Sequence, residues 1–370
     1  MGFDAARGNI VLFGGFDGTR YLNDTWTWDG AMWTKHAPAA SPPGRDRSGL
    51  VYDAARAEVL LFGGLTAGGV LGDTWMWDGT TWTQELPATS PPARSGEGIA
   101  DDVTGGDIVL FGGYGGNGQG DLADTWTWNG STWAQRFPAT SPSGREETAM
   151  ADDAAGGDVM LFGGTNQSGL LGDTWLWSGT TWTEERPSAS PPARYSMSLA
   201  EDTANDQVVL FGGTAPLHRD TWTWDGVTWT ERSPGRSPSA RDGMGMAYDP
   251  VHAEVVLFGG YGPYLGDTWS WDGTTWRVPF VPTFQDKPSS GPPGTLVAIK
   301  GSGFAAFEAV KISFHDPVNG TTLLTTTQSG ADGAVTASVT IPSNAAAGAQ
   351  RLKASGSVSG QRAMATFTVT

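Results

Sequence analysis

The sequence contains no cysteine in 370 residues, and this absence excludes disulfides, thiolate metal sites and cysteine nucleophiles. Positive charge is also scarce, since 22 Lys and Arg stand against 39 Asp and Glu. Proteins that bind nucleic acid usually carry a basic surface, so no such partner is expected. The longest apolar runs, such as "EVVLFGG", fall well below the roughly 18–20 residues of a membrane helix, so no membrane insertion is expected.

Export signals are missing as well. The N-terminal stretch "MGFDAARGNIVLFGG" has neither a basic n-region nor an apolar h-region, so no signal peptide is predicted within this chain. The same stretch resembles the later segments "LVYDAARAEVLLFGG" and "MAYDPVHAEVVLFGG". We therefore expect the chain to begin in mid-repeat, as a fragment would.

What the sequence does contain is a repeat. "FGG" and "DTW" each occur six times, at steps of 47 to 51 residues, and six copies span residues 1–277. Each copy predicts four short strands, here called a to d: residues 45–86 contain "RSGLVYD", "EVLLFGG", "DTWMW" and "TWTQEL". An Asp-Gly pair between strands c and d is a strong hairpin signal. Pro-rich linkers such as "SPPGR" separate the copies and delay the next strand.

Four antiparallel strands at a period of 40–50 residues are typical of a β-propeller blade. The Gly-Gly pair after strand b, the aromatic residue in strand c and the Trp in strand d resemble the kelch family, most closely the long repeats of predicted bacterial exported proteins. The resemblance implies an all-β fold with a six-bladed propeller. Blade 1 is expected to lack most of its innermost strand, because "MGFD" is all that remains of it.

A different pattern follows the propeller. Residues 278–294 are rich in Pro, Ser and Gly and predict a linker. Residues 295–370 alternate like the strands of a small β-sandwich. The opening "PPGTLVAIKGSGF" resembles the Ig-like domains of the IPT/TIG type, which implies a spacer or stalk in an extracellular or cell-surface setting.

All 18 tryptophans follow the pattern W-x-W-x4-W. Indoles that stack on sugars would lie in loops and differ between blades, whereas these occupy fixed strand positions. Each buried indole removes about 150–250 Å² of surface from water. We expect packing between blades, with Trp26, Trp28 and their equivalents largely buried.

Metal and cofactor chemistry is not indicated. The four histidines occupy different repeat contexts, so no metal site and no cofactor are predicted. Galactose oxidase, a kelch-type enzyme, needs copper and a Cys-modified tyrosine, which this composition excludes. The segments "DDVTGGD" and "DDAAGGD" could be calcium loops, but they lack the oxygen spacing of an EF-hand and are expected to be turns.

One arginine follows each linker and opens strand a, the innermost strand of a propeller blade. These five candidate ligand-binding residues are Arg45, Arg94, Arg145, Arg194 and Arg241. A ring of guanidinium groups at one channel mouth would suit a carboxylate, phosphate or sulfate. An aspartate recurs with the same frequency at the start of strand c, so the alternative is structural Arg–Asp pairing.

Residues that differ between blades carry more information about a ligand. The positions after each arginine and the loops between strands b and c both vary, and variable loops on a rigid scaffold commonly bind ligands. Three further ligand-binding candidates are Asp46, Tyr195 and Asp242.

The leading hypothesis is a non-catalytic, monomeric extracellular protein that binds a glycan or a protein at this mouth and its b–c loops. The alternative is an enzyme resembling the sialic-acid mutarotases, with channel carboxylates as general acid and base. Its catalytic candidates are Glu97, Glu146 and Glu147. A third possibility is a structural repeat of the cell surface without a small ligand.

Overall fold

The structure is a computed structural model that describes residues 1–116, 118–153, 156–262, 264–278, 283–302, 304, 309–330, 334–356 and 362–370. Every regular element among them is a β-strand, as the sequence predicts. Two compact units divide the chain, and the first comprises Met1–Asp29 and Trp33–Val278. Within the described residues no helix is long and apolar enough to cross a membrane.

The first unit is a six-bladed β-propeller, in which each blade is an antiparallel sheet of four strands. Blade 1 consists of β1 (Gly2–Asp4), β2 (Asn9–Phe13), β3 (Thr25–Trp28) and β4 (Trp33–His36). Blade 2 consists of β5 (Gly49–Asp53), β6 (Glu58–Phe62), β9 (Thr74–Trp77) and β10 (Trp82–Glu85), with the small hairpin β7 (Leu65–Thr66) and β8 (Gly69–Val70) between its second and third strands. Blade 3 consists of β11 (Gly98–Asp102), β12 (Asp107–Phe111), β13 (Thr125–Trp128) and β14 (Trp133–Arg136).

The other three blades repeat this order. Blade 4 consists of β15 (Ala149–Asp153), β16 (Asp158–Asn166), β17 (Gly169–Trp177) and β18 (Trp182–Glu185). Blade 5 consists of β19 (Ser198–Asp202), β20 (Gln207–Phe211), β21 (Thr221–Trp224) and β22 (Trp229–Arg232). Blade 6 consists of β23 (Gly245–Asp249), β24 (Glu254–Phe258), β25 (Thr268–Trp271) and β26 (Trp276–Arg277).

The Gly-Gly pair after each strand b lets a linker pass close to the blade. Gly63 has a φ of 62°, in the left-handed region that favours glycine. A Cβ atom at Gly63 would lie 2.8 Å from the carbonyl oxygen of Arg94. Any side chain at this position would therefore push the linker away from blade 2.

The third tryptophan of each copy joins its blade to the preceding one. Trp182 Nε1 donates to Thr125 Oγ1 at 2.9 Å, and its ring centroid lies 5.4 Å from that of Phe111 in blade 3. The same indole–threonine bond recurs at 2.8–3.0 Å in the other blades: Trp82–Thr25, Trp133–Thr74, Trp229–Thr174, Trp276–Thr221 and Trp33–Thr268. These contacts make the faces between blades the hydrophobic core of the propeller.

The Trp33–Thr268 bond closes the ring between blades 1 and 6, and Trp33 also packs against Phe258 with centroids 5.0 Å apart. The innermost strand of blade 1 has three residues, whereas the innermost strand of every other blade has five. This short strand still pairs with β2 and packs against the innermost strands of blades 2 and 6.

Burial of the tryptophans follows their order in the motif. The second indole of every copy is buried, and the third is buried everywhere except at Trp33, which is half-buried. The first indole is buried in two copies, Trp126 and Trp269, and only partly buried in the other four: Trp26, Trp75, Trp175 and Trp222. This indole lies next to the b–c loop, where it donates to the aspartate described below.

The second unit is an Ig-like β-sandwich of a three-stranded sheet, β27-β29-β32, and a five-stranded sheet, β28-β34-β33-β30-β31. Its strands are β27 (Thr283–Lys287), β28 (Ser290–Gly291), β29 (Leu296–Ser302), β30 (Ala309–Asp316), β31 (Gly320–Gln328), β32 (Val335–Thr340), β33 (Gly348–Gly356) and β34 (Arg362–Val369). Both inner faces contribute to its core, for example Ile299, Phe314 and Phe367.

The segment 278–294, predicted as a linker, contains two strands of this sandwich. β27 pairs with β29, and β28 pairs in parallel with the last strand, β34. Edge strands tolerate Pro and Gly because one side of their backbone needs no partner. The Pro, Ser and Gly content of this segment is also typical of linkers, so the two strands were not predicted. Residues 279–282 of the segment lie outside the described residues.

Candidate functional site

The five arginines that follow the linkers are completely buried between blades. Arg94 shows the arrangement: its backbone is hydrogen-bonded to blade 2, through Leu71 O at 2.8 Å and Gly64 N at 2.8 Å. Its guanidinium crosses to blade 3, where it donates to both carboxylate oxygens of Asp124 at 2.7 and 2.8 Å and to Gly112 O at 2.8 Å. Each arginine therefore ties one blade to the next.

The same bidentate pair occurs at four other positions, with the shorter N–O distance at 2.6–2.7 Å: Arg45–Asp73, Arg145–Asp173, Arg194–Asp220 and Arg241–Asp267. Each aspartate also accepts a hydrogen bond from the first tryptophan of its copy, as Asp124 does from Trp126 at 2.6 Å. Burial acts to raise the pKa of Asp124, but the hydrogen bonds from Arg94 and Trp126 outweigh it and lower that pKa. These carboxylates therefore remain ionised at neutral pH.

This geometry corrects the prediction that Arg45, Arg94, Arg145, Arg194 and Arg241 bind a ligand. Their side chains are at most 1% exposed, and their N–H groups are committed to aspartate, glycine and linker oxygens, such as Pro43 O for Arg45. A ligand could reach them only by separating two blades. Of the two interpretations left open by the sequence, structural Arg–Asp pairing is the one the geometry supports.

The residues two positions after these arginines form an open arc of backbone hydrogen bonds around the channel mouth. Four amides donate to the carbonyl of the preceding member: Gly96 N to Arg47 O at 2.9 Å, Glu147 N to Gly96 O at 2.7 Å, Ser196 N to Glu147 O at 2.9 Å and Gly243 N to Ser196 O at 2.8 Å. All five members have φ between 51° and 64°: Arg47, Gly96, Glu147, Ser196 and Gly243. Side chains in this left-handed conformation carry strain, and such strain is concentrated at functional sites.

The mouth is acidic. Burial raises the pKa of Asp46, Glu146, Glu147 and Asp242 above the usual range. Arg47, with 48% of its side chain exposed, forms an ion pair with Glu147, which also accepts a hydrogen bond from the Ser196 hydroxyl. The structure thus places the sequence candidates Asp46 and Asp242 at this mouth.

Tyr195 lies at the same level, because its backbone pairs with that of Thr214 in the b–c loop of blade 5. Asp242 pairs in the same way with Tyr261 of blade 6. Each of these mouth residues is therefore coupled directly to a variable loop.

Glu97, a catalytic candidate in the enzyme hypothesis, does not face the channel. Its Oε1 accepts a hydrogen bond from Gly49 N of blade 2 at 3.0 Å, and its side chain is buried between blades 2 and 3. Burial raises its pKa to about 7. The three glutamates of that hypothesis are therefore split, because Glu146 and Glu147 lie at the mouth.

Sequence reasoning missed an aromatic cluster on the b–c loops of blades 1 and 6. The rings of Phe16 and Tyr21 have centroids 5.1 Å apart, and those of Tyr261 and Tyr264 5.3 Å apart. Phe16 and Tyr264 join the two pairs at 6.4 Å. Phe16, Tyr261 and Tyr264 are exposed by 38–52%. Each of these two loops contains two aromatic residues, and the four come together because the ring of blades places the first and last blades side by side.

Sequence reasoning also missed a second acidic set, at the opposite end of the channel. Asp101, Asp152 and Glu201 are the penultimate residues of strand a in blades 3, 4 and 5, and they line a cavity of about 300 Å³. The following residue forms the expected turn, as Asp102 Oδ1 accepts from Gly105 N at 2.6 Å. The first aspartate of each "DD" pair thus belongs to the channel and only the second to the turn. Within the described residues no group of three His, Cys, Asp or Glu has the geometry of a metal site.

These three carboxylates repel one another. Burial, together with the neighbouring acids, raises the pKa of Asp101 to about 7, that of Asp152 to about 6 and that of Glu201 to about 7. The folded state therefore holds protons that the unfolded chain releases above pH of about 4. Stability is expected to fall as pH rises from about 4.5 to about 7.5.

Thermal unfolding between pH 4.5 and 8 tests this expectation, since the melting temperature should decrease by several degrees across the range. The triple variant Asp101→Asn/Asp152→Asn/Glu201→Gln should show a flatter profile. A residual slope is expected from Glu97, whose pKa is also raised. Identical profiles for the two proteins would show that the three acids are not the cause.

A comparison with models of known protein families gives a match in the C-terminal part of the chain. Residues 281–369 match the family model of the macroglobulin-like domain. The match covers the C-terminal sandwich and supports the predicted Ig-like domain. The matched family is the macroglobulin-like domain, whereas the sequence resemblance was to the IPT/TIG type. A search of curated proteins found no match to this chain.

Proposed function

We propose that this chain is a non-catalytic extracellular binding protein whose kelch-type propeller engages a glycan through the b–c loops of blades 1 and 6. The observation that carries the proposal is the cluster of Phe16, Tyr21, Tyr261 and Tyr264 beside the acidic channel mouth, in which all rings except that of Tyr21 are exposed. Its position on variable loops, away from the repeated residues that hold the blades together, supports a role in recognition.

A pyranose ring presents a face of C–H groups and a rim of hydroxyls, and it therefore needs a flat aromatic surface with hydrogen-bond acceptors at its edge. The four rings supply the surface. Asp242, whose backbone is paired with that of Tyr261, supplies a carboxylate next to it. A few polar groups around an aromatic surface is the usual composition of a small-molecule site.

The loop of blade 1 is held in shape by hydrogen bonds of its own. Asp17 Oδ1 accepts hydrogen bonds from Thr19 N at 2.9 Å, Thr19 Oγ1 at 2.6 Å and Arg20 N at 2.9 Å. Tyr264 lies over Gly18, where a Cβ atom would come within 2.9 Å of its ring. A surface that is already ordered loses little entropy on binding.

The proposed extracellular location is supported by the C-terminal unit. Its match is to the macroglobulin-like domain, a type of domain that is typically extracellular. In this proposal the sandwich carries the propeller and makes no contribution to glycan recognition.

A glycan array probed with the full chain, followed by calorimetric titration of the best glycan, tests the proposal. The variant Tyr261→Ala/Tyr264→Ala is expected to bind that glycan at least tenfold more weakly, because loss of an aromatic anchor costs about 2 kcal/mol or more.

Phe137→Ala is the matched control, because Phe137 is 84% exposed but lies after strand d of blade 3. Its affinity should equal that of the original chain. The proposal fails if no glycan binds, or if the double tyrosine variant binds as well as the control. Capture of a protein by the same face, without any glycan, would also overturn it in favour of a protein partner.

A further inference from the structure

The end of the channel opposite the b–c loops has two chemically distinct halves. One residue per blade occupies the same position in strand a, one before the last: Phe3, Tyr52, Asp101, Asp152, Glu201 and Tyr248. Blades 3, 4 and 5 thus supply carboxylates, whereas blades 6, 1 and 2 supply aromatic rings. All six residues line the cavity of about 300 Å³.

Asp152 is the residue that points to a missing partner. Asp152 lines this cavity, only 6% of the residue is exposed, and neither carboxylate oxygen has a partner within full hydrogen-bond geometry among the described residues. The backbone N–H of Val103 is close enough to act to lower its pKa, but no cationic side chain among the described residues of the lining faces it. A buried carboxylate without a cationic partner is strongly destabilising, and native proteins rarely leave such a group unsatisfied. The acids nearby add to this cost instead of relieving it, since Asp102 and Asp153 act to raise the pKa of Asp152 further.

No basic side chain lines the described part of the cavity. The α-amino group of Met1, a residue that also lines it, is a poor source of positive charge because burial lowers its pKa to about 6. Within the described lining of the cavity, the negative charge at this end of the channel is therefore not compensated by a basic group.

We propose that the carboxylate end of the channel binds a small organic cation with a primary ammonium group. The ammonium donates its three N–H groups to Asp101, Asp152 and Glu201. The body of the molecule extends toward the middle of the channel, where the wall is apolar and includes Ile99, Met150, Leu199 and Met246.

The composition of the wall distinguishes this ligand from a metal ion. Calcium takes six to eight oxygen ligands, and magnesium keeps an octahedral shell of oxygens, whereas the remaining wall here offers thioether and hydrocarbon groups. Aromatic rings opposite the carboxylates favour an organic cation, because an ammonium group is attracted to the face of such a ring.

The experiment uses the full chain and two probes of the same shape, n-hexylamine and n-hexanol. Calorimetric titration at pH 7.5 is expected to detect hexylamine binding and at least tenfold weaker binding of hexanol. Asp152→Asn is expected to weaken hexylamine binding at least tenfold, and it should fold because it removes like-charge repulsion. Glu146→Gln, which removes a charge at the other mouth, is the control and should bind hexylamine unchanged.

Equal binding of the two probes, equal binding by Asp152→Asn, or no hexylamine binding at 10 mM would each overturn the proposal. Calcium chloride that binds at this site and displaces hexylamine would overturn it in favour of a metal. A second variant, Met150→Phe, narrows the apolar wall and should weaken hexylamine binding without touching the acids. The glycan site on the b–c loops plays no part in these outcomes, so the two proposals succeed or fail separately.

Discussion

Replacing Arg194 with alanine is expected to lower the free energy of unfolding by about 3–5 kcal/mol, the usual cost of removing one partner of a buried ion pair. The substitution removes two charge-assisted hydrogen bonds to Asp220, at 2.7 and 2.8 Å, and the bond to Gly212 O at 3.0 Å. It also leaves the Asp220 carboxylate, with 19% of its side chain exposed, without its main counter-charge. Urea unfolding of the two proteins measures the difference.

Lys35→Ala is the control for this prediction. Lys35 pairs with Asp24, the blade 1 equivalent of the other aspartates, at 3.3 Å, with 57% of the lysine side chain exposed. An exposed pair contributes about 0–1 kcal/mol, so a small effect is expected. Arg194→Lys should recover only part of the loss, because lysine cannot form the bidentate pair. Equal losses for Arg194→Ala and Lys35→Ala would contradict a structural role for the buried arginines.

Replacing Trp182 with alanine, in a separate variant, is expected to lower the free energy of unfolding by about 3–5 kcal/mol, the usual cost of removing a large aromatic side chain from a core. Trp182 is 0% exposed, packs against Phe111 and donates to Thr125 Oγ1. The substitution would leave a cavity in the interface between blades 3 and 4. Trp175→Ala in the same blade removes a half-buried indole and its bond to Asp173 at 2.7 Å, and a smaller loss is expected.

Thermal and urea unfolding of these two variants rank the tryptophans of one copy against each other. The structure predicts that Trp182→Ala melts at the lower temperature. The reverse order would show that the first indole, and not the third, carries the packing between blades.

Strand positions were predictable from the sequence because all six copies have the same turn residues, namely the Gly-Gly pair, the hairpin before the third tryptophan and the Pro-rich linker. Asp53 ends β5 and Phe62 ends β6, where alternation stops or glycine begins. The sequence left two roles open for the arginines, ligand binding and pairing with aspartate, because spacing places Arg94 and Asp124 at the same end of their blades but does not show that the guanidinium crosses from one blade to the next. The direction in which a side chain points across an interface depends on tertiary packing, which sequence spacing does not reveal.

The second acidic set could have been found by comparing equivalent positions along strand a. Tyr52, Asp101 and Glu201 occupy one position in three copies, and only its chemistry varies. The paired aspartates hid this difference, since the second member of each pair is an ordinary turn residue. The aromatic cluster had no such signal, because Phe16 and Tyr264 are brought together only by closure of the ring.

The central claim is that repeated residues hold the propeller together and that recognition belongs to the variable b–c loops of blades 1 and 6. Hydrogen–deuterium exchange of the full chain, with and without the glycan selected on the array, tests this claim most directly. Binding is expected to protect residues 14–24 and 259–267 and to leave the c–d hairpins unchanged. Protection confined to the c–d hairpins, or absent from both b–c loops, would contradict the claim.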